Sequence, residues 1–173
     1  MANALTHREI VAHHEAAHSV IAVCCGPGVS GGIDLNAATS VAGAFGNTKV
    51  YLFAPDASQP IGVQERDALR NAAIICAGAA SDAKLHAIGL NQALVAQPGD
   101  HAFVHSHLAT HPCVPAGGIV SVVAVGLATA DFHLAKAHVW DAVESVATAC
   151  LSNGGTIDAA TIRAICGHLA NTI

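Results

Sequence analysis

The clearest chemistry in this sequence lies in the stretch His14-Glu15-Ala16-Ala17-His18, which has the form His-Glu-x-x-His. On a helix, His14 and His18 lie about 40° apart and share one face, with Glu15 beside that face. Two imidazoles so placed can bind one Zn²⁺ ion, and the carboxylate can reach a water molecule on the metal. The spacing predicts a zinc hydrolase with His14 and His18 as metal ligands and Glu15 as general base.

A histidine-rich surface helix that binds no metal is the alternative interpretation of this motif. The chain has 12 histidines among 173 residues, and a chance match to the motif is expected about 0.02 times at this composition. The surrounding helix carries Val11, Ile21, Val23 and many alanines, so it is predicted to be buried. A buried imidazole needs a polar partner, and a metal ion is one.

A catalytic zinc site usually has three protein ligands, so a third residue is expected away from the motif. The residue types and their positions near element ends leave four candidates, which are Asp82, Asp100, His101 and His105. His101 and His105 share a helix face, as do His107 and His111. A second metal site among these four histidines is a further alternative.

The first half of the chain is predicted to form two helices around a small sheet. Thr6 and Glu9 form a capping box for a helix that ends near Cys25, before Gly26. Short β-branched and aromatic runs between 29 and 54 predict two or three antiparallel strands. These strands are expected either to include an edge strand that pairs with an extended peptide or to form a hairpin with only a structural role. Ser58 or Gln59 is expected to cap a helix over 60–88, in which Gly78 indicates close packing.

The second half is predicted to be helical. A loop over 89–99 leads to a helix with Asp100 near its start, and residues 119–151 form one long helix or two. Asp158 is expected to cap a last helix over about 159–170. The predicted fold class is mainly α with a small antiparallel β-sheet (α+β), with residues 1–173 forming a single domain.

Composition limits the partners and the location. The net charge of −5 argues against nucleic acid. Charged residues make up only 11% of the chain, so the surface is expected to be partly covered by other copies in a homo-oligomer. The six cysteines lack paired spacing and are expected to be free thiols in the cytoplasm. The N-terminus lacks the pattern of a signal peptide, and the apolar run 116–130 is too short for a membrane span.

Three segments together resemble the peptidase domain of the FtsH-type (M41) zinc metalloproteases. Val11–Ala22 is similar to the family's His-Glu-Ala-Gly-His-Ala helix, Ile74–Ser81 to its Gly-Gly-x-Ala-Ala-Glu segment, and Pro98–Ala102 to its Gly-Ala-x-x-Asp stretch. The resemblance implies a zincin-like helical peptidase domain with Asp100 as the third zinc ligand. Its peptide substrate would bind along the sheet near Gly43, Ala44 and Phe45.

The sequence also departs from the family's pattern. Ala17 replaces a glycine and leaves the ligand spacing intact, whereas Ser81 stands where the family usually has Glu, so a contact behind the ligands is expected to be missing. No Walker A motif or transmembrane helix is found. Family members use a fused ATPase to unfold their substrates. The expected substrates are therefore peptides, unfolded segments or a specific partner, unless a separate ATPase serves this chain.

The predicted mechanism is peptide hydrolysis, in which Glu15 takes the proton of the attacking water and passes it to the leaving amine. His101 or His105 is a candidate to stabilise the oxyanion. Two alternatives remain. One is an inactive peptidase-like domain that binds a peptide or partner protein. The other is a zinc hydrolase of a non-peptide amide, which would use the same residues.

Overall fold

The computed structural model describes residues 5–37 and 46–173, and the fold there is mainly helical with a small antiparallel sheet, as predicted. The helices are α1 (His7–Cys25), α2 (Ile61–His86), α3 (Leu90–Val95), α4 (Pro98–Leu108), α5 (Ile119–Leu134), α6 (Ala137–Ser152) and α7 (Ala159–Cys166). The strands are β1 (Val29–Asp34), β2 (Thr48–Val50) and β3 (Thr156–Asp158).

The motif helix α1 begins and ends where its local sequence predicts. The Thr6 side chain accepts a hydrogen bond from the Glu9 backbone N–H, and the Glu9 carboxylate accepts from the Thr6 backbone N–H in return. Gly26 ends the helix with a φ of 110°, a conformation that glycine adopts without strain. The residues from His14 to Cys25 are all buried, so the motif lies on a core helix.

Helix α2 is the centre of the helical packing and lies against both α1 and α5. The contact with α5 is close because it is made by small residues: a Cβ on Gly126 would lie 2.4 Å from the Cβ of Ala72. The contact with α1 occurs at Gly78, as its sequence predicts. Small side chains on α2 thus bring the motif helix and α2 within reach of shared polar contacts.

The sheet has the strand order β2-β1-β3, and both pairings are antiparallel. Ile33 of β1 lies opposite Thr48 on one side and Ile157 on the other. The prediction of strands between 29 and 54 is confirmed for β1 and β2 but missed β3, which comes from the C-terminal part of the chain. Within the described residues β2 is an edge strand.

Three local predictions were wrong or incomplete. The expected loop over 89–99 contains α3, and α7 ends at Cys166 before a short 3-10 turn. Helix α2 starts after Pro60 without a side-chain cap. The predicted caps Ser58 and Gln59 bind the Asp56 carboxylate instead, because Asp favours such a turn two residues before a polar donor. The region 119–151 forms two helices, and Asp158 caps α7 as predicted.

Helix α5 exposes part of its apolar surface. Val120, Val125 and Phe132 are 70%, 49% and 63% exposed. The helical segment Ala116–Leu134 has 19 residues and a mean hydropathy of 1.5, which is long and apolar enough to cross a membrane, and 33% of it is buried in this fold. The expectation that the apolar run 116–130 is too short for a membrane span was therefore wrong in its length, because the helical segment continues to Leu134. The absence of a membrane span, the homo-oligomer and the cytoplasmic location stay predictions. All six cysteines are free.

Candidate metal centre

Three side chains from α1 and α4 converge on one point. The Nε2 atoms of His14 and His18 lie 3.2 Å apart, and Oδ2 of Asp100 lies 3.1 Å from the first and 3.2 Å from the second. The two imidazoles share a face of α1 because they are four residues apart. Asp100 reaches them from the first turn of α4. Both predicted histidines and the predicted Asp100 are thus brought together.

The outer nitrogen of each imidazole is held by a hydrogen-bond acceptor. Nδ1 of His18 donates to the carbonyl oxygen of Ile74 at 2.8 Å, and Nδ1 of His14 donates to Oδ2 of Asp82 at 2.9 Å. When both rings are neutral, each Nε2 therefore presents a lone pair toward the Asp100 carboxylate. Three electron-pair donors facing each other are stable only with a positive charge between them.

The electrostatics of the cluster favour positive charge at this point. Burial alone lowers the pKa of His14, but hydrogen bonds and charge from Asp100 and Asp82 outweigh it and raise that pKa well above its usual range. Burial likewise lowers the pKa of His18, but the charge and the hydrogen bond of Asp100 outweigh this effect, so the pKa of His18 is raised. Burial raises the pKa of Asp100, yet the two imidazoles hold that pKa far below its usual range. A metal cation satisfies the same attraction.

The space for an ion or a proton between the ligands exists because position 78 has no side chain. A Cβ on Gly78 would lie 2.3 Å from Nε2 of His14 and 2.5 Å from Nε2 of His18. These distances are far below van der Waals contact. Gly78 therefore keeps the ligand-bearing edges of both rings clear, which is a reason for glycine at this position beyond helix packing.

The three ligand atoms fit a small tetrahedral cation. Bonds of about 2.0–2.1 Å to such an ion put neighbouring ligand atoms about 3.3 Å apart, and the observed separations are 3.1 to 3.2 Å. Two imidazole nitrogens and one carboxylate oxygen are also the donor types that Zn²⁺ accepts. His14, His18 and Asp100 are therefore the group of three side chains in the described part of the chain that could hold a metal ion.

Glu15 lies beside the cluster with a partner of its own. Its Oε2 accepts a hydrogen bond from the Thr48 hydroxyl at 2.5 Å, so β2 orients the carboxylate. Gly46, with a φ of 91°, passes so close that a Cβ there would lie 2.8 Å from Oε1. Glu15 is only 7% exposed. A buried carboxylate beside a metal-ligand set is suited to accept and return a proton.

Two adjoining cavities flank the cluster and share Glu15, Gly46 and Asp100 as lining residues. One, of about 210 Å³, is bounded by β2, α2 and Phe103 of α4. The other, of about 150 Å³, lies on the His14 side and reaches His7. A larger cavity of about 760 Å³ lies beside β1 and β3 and contains no residue of the ligand set. The two smaller cavities thus adjoin the cluster from different sides, and together they are here called the cleft.

The remaining candidate residues have other positions. Asp82 lies behind His14 and does not belong to the ligand set, and His101 and His105 form a ring contact with each other. Of the four candidates for the third position, Asp100 is therefore the one whose carboxylate lies with the Nε2 atoms of both histidines. The predicted substrate residues Gly43, Ala44 and Phe45 lie outside the described residues.

Sequence reasoning missed the supporting contacts of the cluster. Asp82 binds both His14 and the side-chain amide of Gln97, the residue before α4. It therefore links the first ligand to the helix that carries Asp100. The one available signal was its place four residues after Gly78, on the same face of α2.

Searches of family models, curated proteins and solved structures find no match to this chain.

Proposed function

We propose that this chain is a zinc-dependent metallopeptidase. The observation that carries the proposal is the convergence of His14, His18 and Asp100 within 3.2 Å of each other, next to the buried Glu15. A helix that places a carboxylate beside two histidine ligands gives a metal site both its binding residues and a base. The resemblance to FtsH-type peptidases in the motif and in the segments around Gly78 and Asp100 supports the same activity.

The metal would be Zn²⁺, held by His14, His18 and Asp100. When bound, zinc supplies a Lewis acid that polarises the scissile carbonyl and lowers the pKa of a water molecule. Asp82 and the carbonyl of Ile74 keep both imidazoles in the orientation and tautomer that zinc binding needs. A carboxylate behind a histidine ligand also increases the basicity of the ring.

Glu15 moves the proton. Its carboxylate accepts the proton of the attacking water and gives it to the amine that leaves when the peptide bond breaks. The Thr48 hydroxyl holds one carboxylate oxygen at 2.5 Å, which restricts the rotation of the side chain. The burial of Glu15 keeps bulk water from competing for the same proton.

The peptide substrate binds as an added strand along β2. In the described part of the chain β2 has β1 on one side and no strand on the other, and Thr48 and Val50 line the cleft. The unpaired backbone groups of an edge strand bind an extended peptide with little preference for its side chains. The opposite walls carry Ile74, Ile75 and Phe103, so an apolar substrate side chain is favoured beside the scissile bond.

The substrate class follows from the size of the cleft. Cavities of about 210 and 150 Å³ accommodate an extended segment, and a folded domain does not enter them. Peptides, unfolded proteins or a flexible segment of a partner are the proposed substrates. A separate ATPase is the proposed source of unfolding where a folded protein must be cut.

The test is cleavage of fluorogenic peptides with apolar residues near the scissile bond, by zinc-loaded protein. We expect turnover that is lost on chelation, restored by zinc and absent in the variant E15Q. Peptide binding without cleavage would contradict the peptidase and favour the inactive binding domain. Hydrolysis of simple N-acyl amides alone would favour the non-peptide amide hydrolase.

A further inference from the structure

A buried asparagine joins the cleft walls at one end. Asn71 of α2 is 0% exposed. Its Oδ1 accepts a hydrogen bond from the backbone N–H of Phe53 at 2.9 Å, and its Nδ2 donates to the carbonyl oxygen of the same residue at 2.9 Å. The side chain thus pairs with both backbone groups of Phe53 as a neighbouring strand would. Because the Phe53 N–H needs an acceptor and the Phe53 carbonyl needs a donor, this pairing also fixes which atom of the Asn71 amide is the oxygen and which is the nitrogen.

Two histidines complete the contacts of the Asn71 amide. Nδ2 lies 3.0 Å from Nε2 of His107 and 3.1 Å from Nε2 of His111, and the two Nε2 atoms are 3.4 Å apart. An amide nitrogen has two hydrogens, and Phe53 takes one of them. The second needs a lone pair on one imidazole. The arrangement therefore requires that at least one of the two rings is unprotonated at Nε2.

The position of this cluster relates it to the cleft. Phe53 follows the cleft-lining Val50 by three residues, and Asn71 precedes the cleft-lining Ile74 by three. The ring of His107 lies 5.8 Å, centroid to centroid, from that of Phe103 on the α4 wall. One hydrogen-bonded cluster thus holds together the strand wall, the α2 wall and the α4 wall.

We propose that Asn71 is a positioning residue for the substrate cleft: with an unprotonated His107 or His111 it holds the segment that follows the edge strand β2 against α2. This inference rests on the proposed function, because it assigns β2 and the segment that follows Val50 to peptide binding. Protonation of both imidazoles puts only N–H donors around Nδ2. The Asn71 amide then turns or withdraws, Phe53 is released, and the peptide loses a fixed edge to pair with.

Burial sets the direction of the pH effect, and the surrounding charges modify it. Burial lowers the pKa of His107, and the charge of His111 lowers it further. Burial also lowers the pKa of His111, which the charge of Asp67 partly offsets. Arg70, whose guanidinium lies 5.7 Å from the centroid of the Phe53 ring, Arg66, which pairs with Asp67 at 3.0 Å, and Glu65, whose charge acts on Cys113, are further charged groups of α2. When the pH falls, His107 and His111 therefore bind protons more readily in the unfolded or released chain than in the folded one. The cluster stabilises the folded chain fully above about pH 6.5, and this stabilisation decreases as the pH falls below that value.

The first test needs no activity. Hydrogen exchange of the Phe53 amide, measured by NMR and corrected for intrinsic rates, is expected to be slow at pH 7.5 and at least tenfold faster at pH 5.5. The double variant H107Q/H111Q keeps acceptors that do not titrate, so its protection is expected to be independent of pH. The control H105Q, at a half-buried histidine of α4 whose ring contacts His101, is expected to behave as the parent. Equal protection at both pH values in the parent, or a pH effect that persists in H107Q/H111Q, would overturn the inference.

The second test uses peptide cleavage. N71A is expected to raise KM at least fivefold with kcat within twofold of the parent, because neither the ligand set nor Glu15 contacts Asn71. Unchanged KM in a folded N71A protein would overturn the inference. Where N71A does not fold, the KM of the parent at pH 5.5 against that of H107Q/H111Q decides in the same way. A parent that cleaves no peptide refutes the proposed function instead, and the hydrogen-exchange result still decides whether the cluster holds Phe53.

Discussion

Gly78 of α2 lies directly against the Nε2 edge of the His14 ring, since a Cβ at position 78 would be 2.3 Å from Nε2. The helix backbone at this position accepts alanine, so the variant G78A adds one methyl group and little else. We expect it to push the two imidazoles apart and to weaken zinc binding at least tenfold. Competition with a chromophoric chelator measures the affinity.

The control for this variant is G62A, in the first turn of the same helix, where a Cβ meets nothing within 4 Å. It is expected to leave zinc affinity unchanged and to stabilise the protein by up to about 1 kcal/mol through helix propensity. Zinc affinity in G78A equal to that of the parent would show that zinc does not bind between the Nε2 atoms of His14 and His18.

The Asp82 carboxylate fixes the ring of His14 from behind, at 2.9 Å from Nδ1. In the variant D82N the amide still offers an oxygen of similar shape but no charge. We expect zinc affinity to fall about ten- to a hundredfold while the fold is kept. E65Q, an exposed carboxylate on the same helix, serves as the control. If D82N bound zinc as tightly as the parent, the assignment of Asp82 as a support for His14 in zinc binding would be wrong.

Glu15 is assigned to proton transfer and not to metal binding. The variant E15Q keeps the size of the side chain and can still accept a hydrogen bond from Thr48. It should retain zinc with parent affinity and lose peptide hydrolysis by about 10²-fold or more. Hydrolysis at the parent rate would assign the base to another residue, and loss of zinc would place Glu15 among the ligands.

Ser81 has a buried hydroxyl that makes no hydrogen bond in the described structure. Burial of an unpaired polar group costs free energy of folding. The variant S81A is therefore expected to raise the free energy of unfolding by about 1 kcal/mol, measured by urea denaturation, with zinc affinity unchanged. A loss of stability of similar size would indicate that this hydroxyl has a partner after all.

The fold was predictable where local signals decide it. The capping box of Thr6 and Glu9, the stop at Gly26 and the cap at Asp158 each act within one helical turn, and all three are confirmed. Strand β3 was missed because three residues carry no pattern of their own, and its conformation is set by pairing with β1. Helix α3 was missed because six residues between two glycines are too few for a periodic signal.

The site was predictable only in part, for a related reason. The face shared by His14 and His18 follows from helix geometry, whereas Asp100 came from the resemblance and from its place at a helix start. The contacts of Asp82 with His14 and of Asn71 with Phe53 join residues 68 and 18 positions apart. Such contacts depend on how α2 packs on its neighbours, which spacing along the sequence does not reveal.

The most direct test of the account is the zinc content of the purified protein, measured by elemental analysis after zinc loading and dialysis against metal-free buffer. The parent is expected to retain about one zinc ion per chain, and H18A and D100A are expected to retain none, with circular dichroism showing that both remain folded. A parent that retains no zinc would contradict the metal centre. Retention of zinc by D100A equal to that of the parent would contradict the ligand set on which the proposed peptidase activity rests.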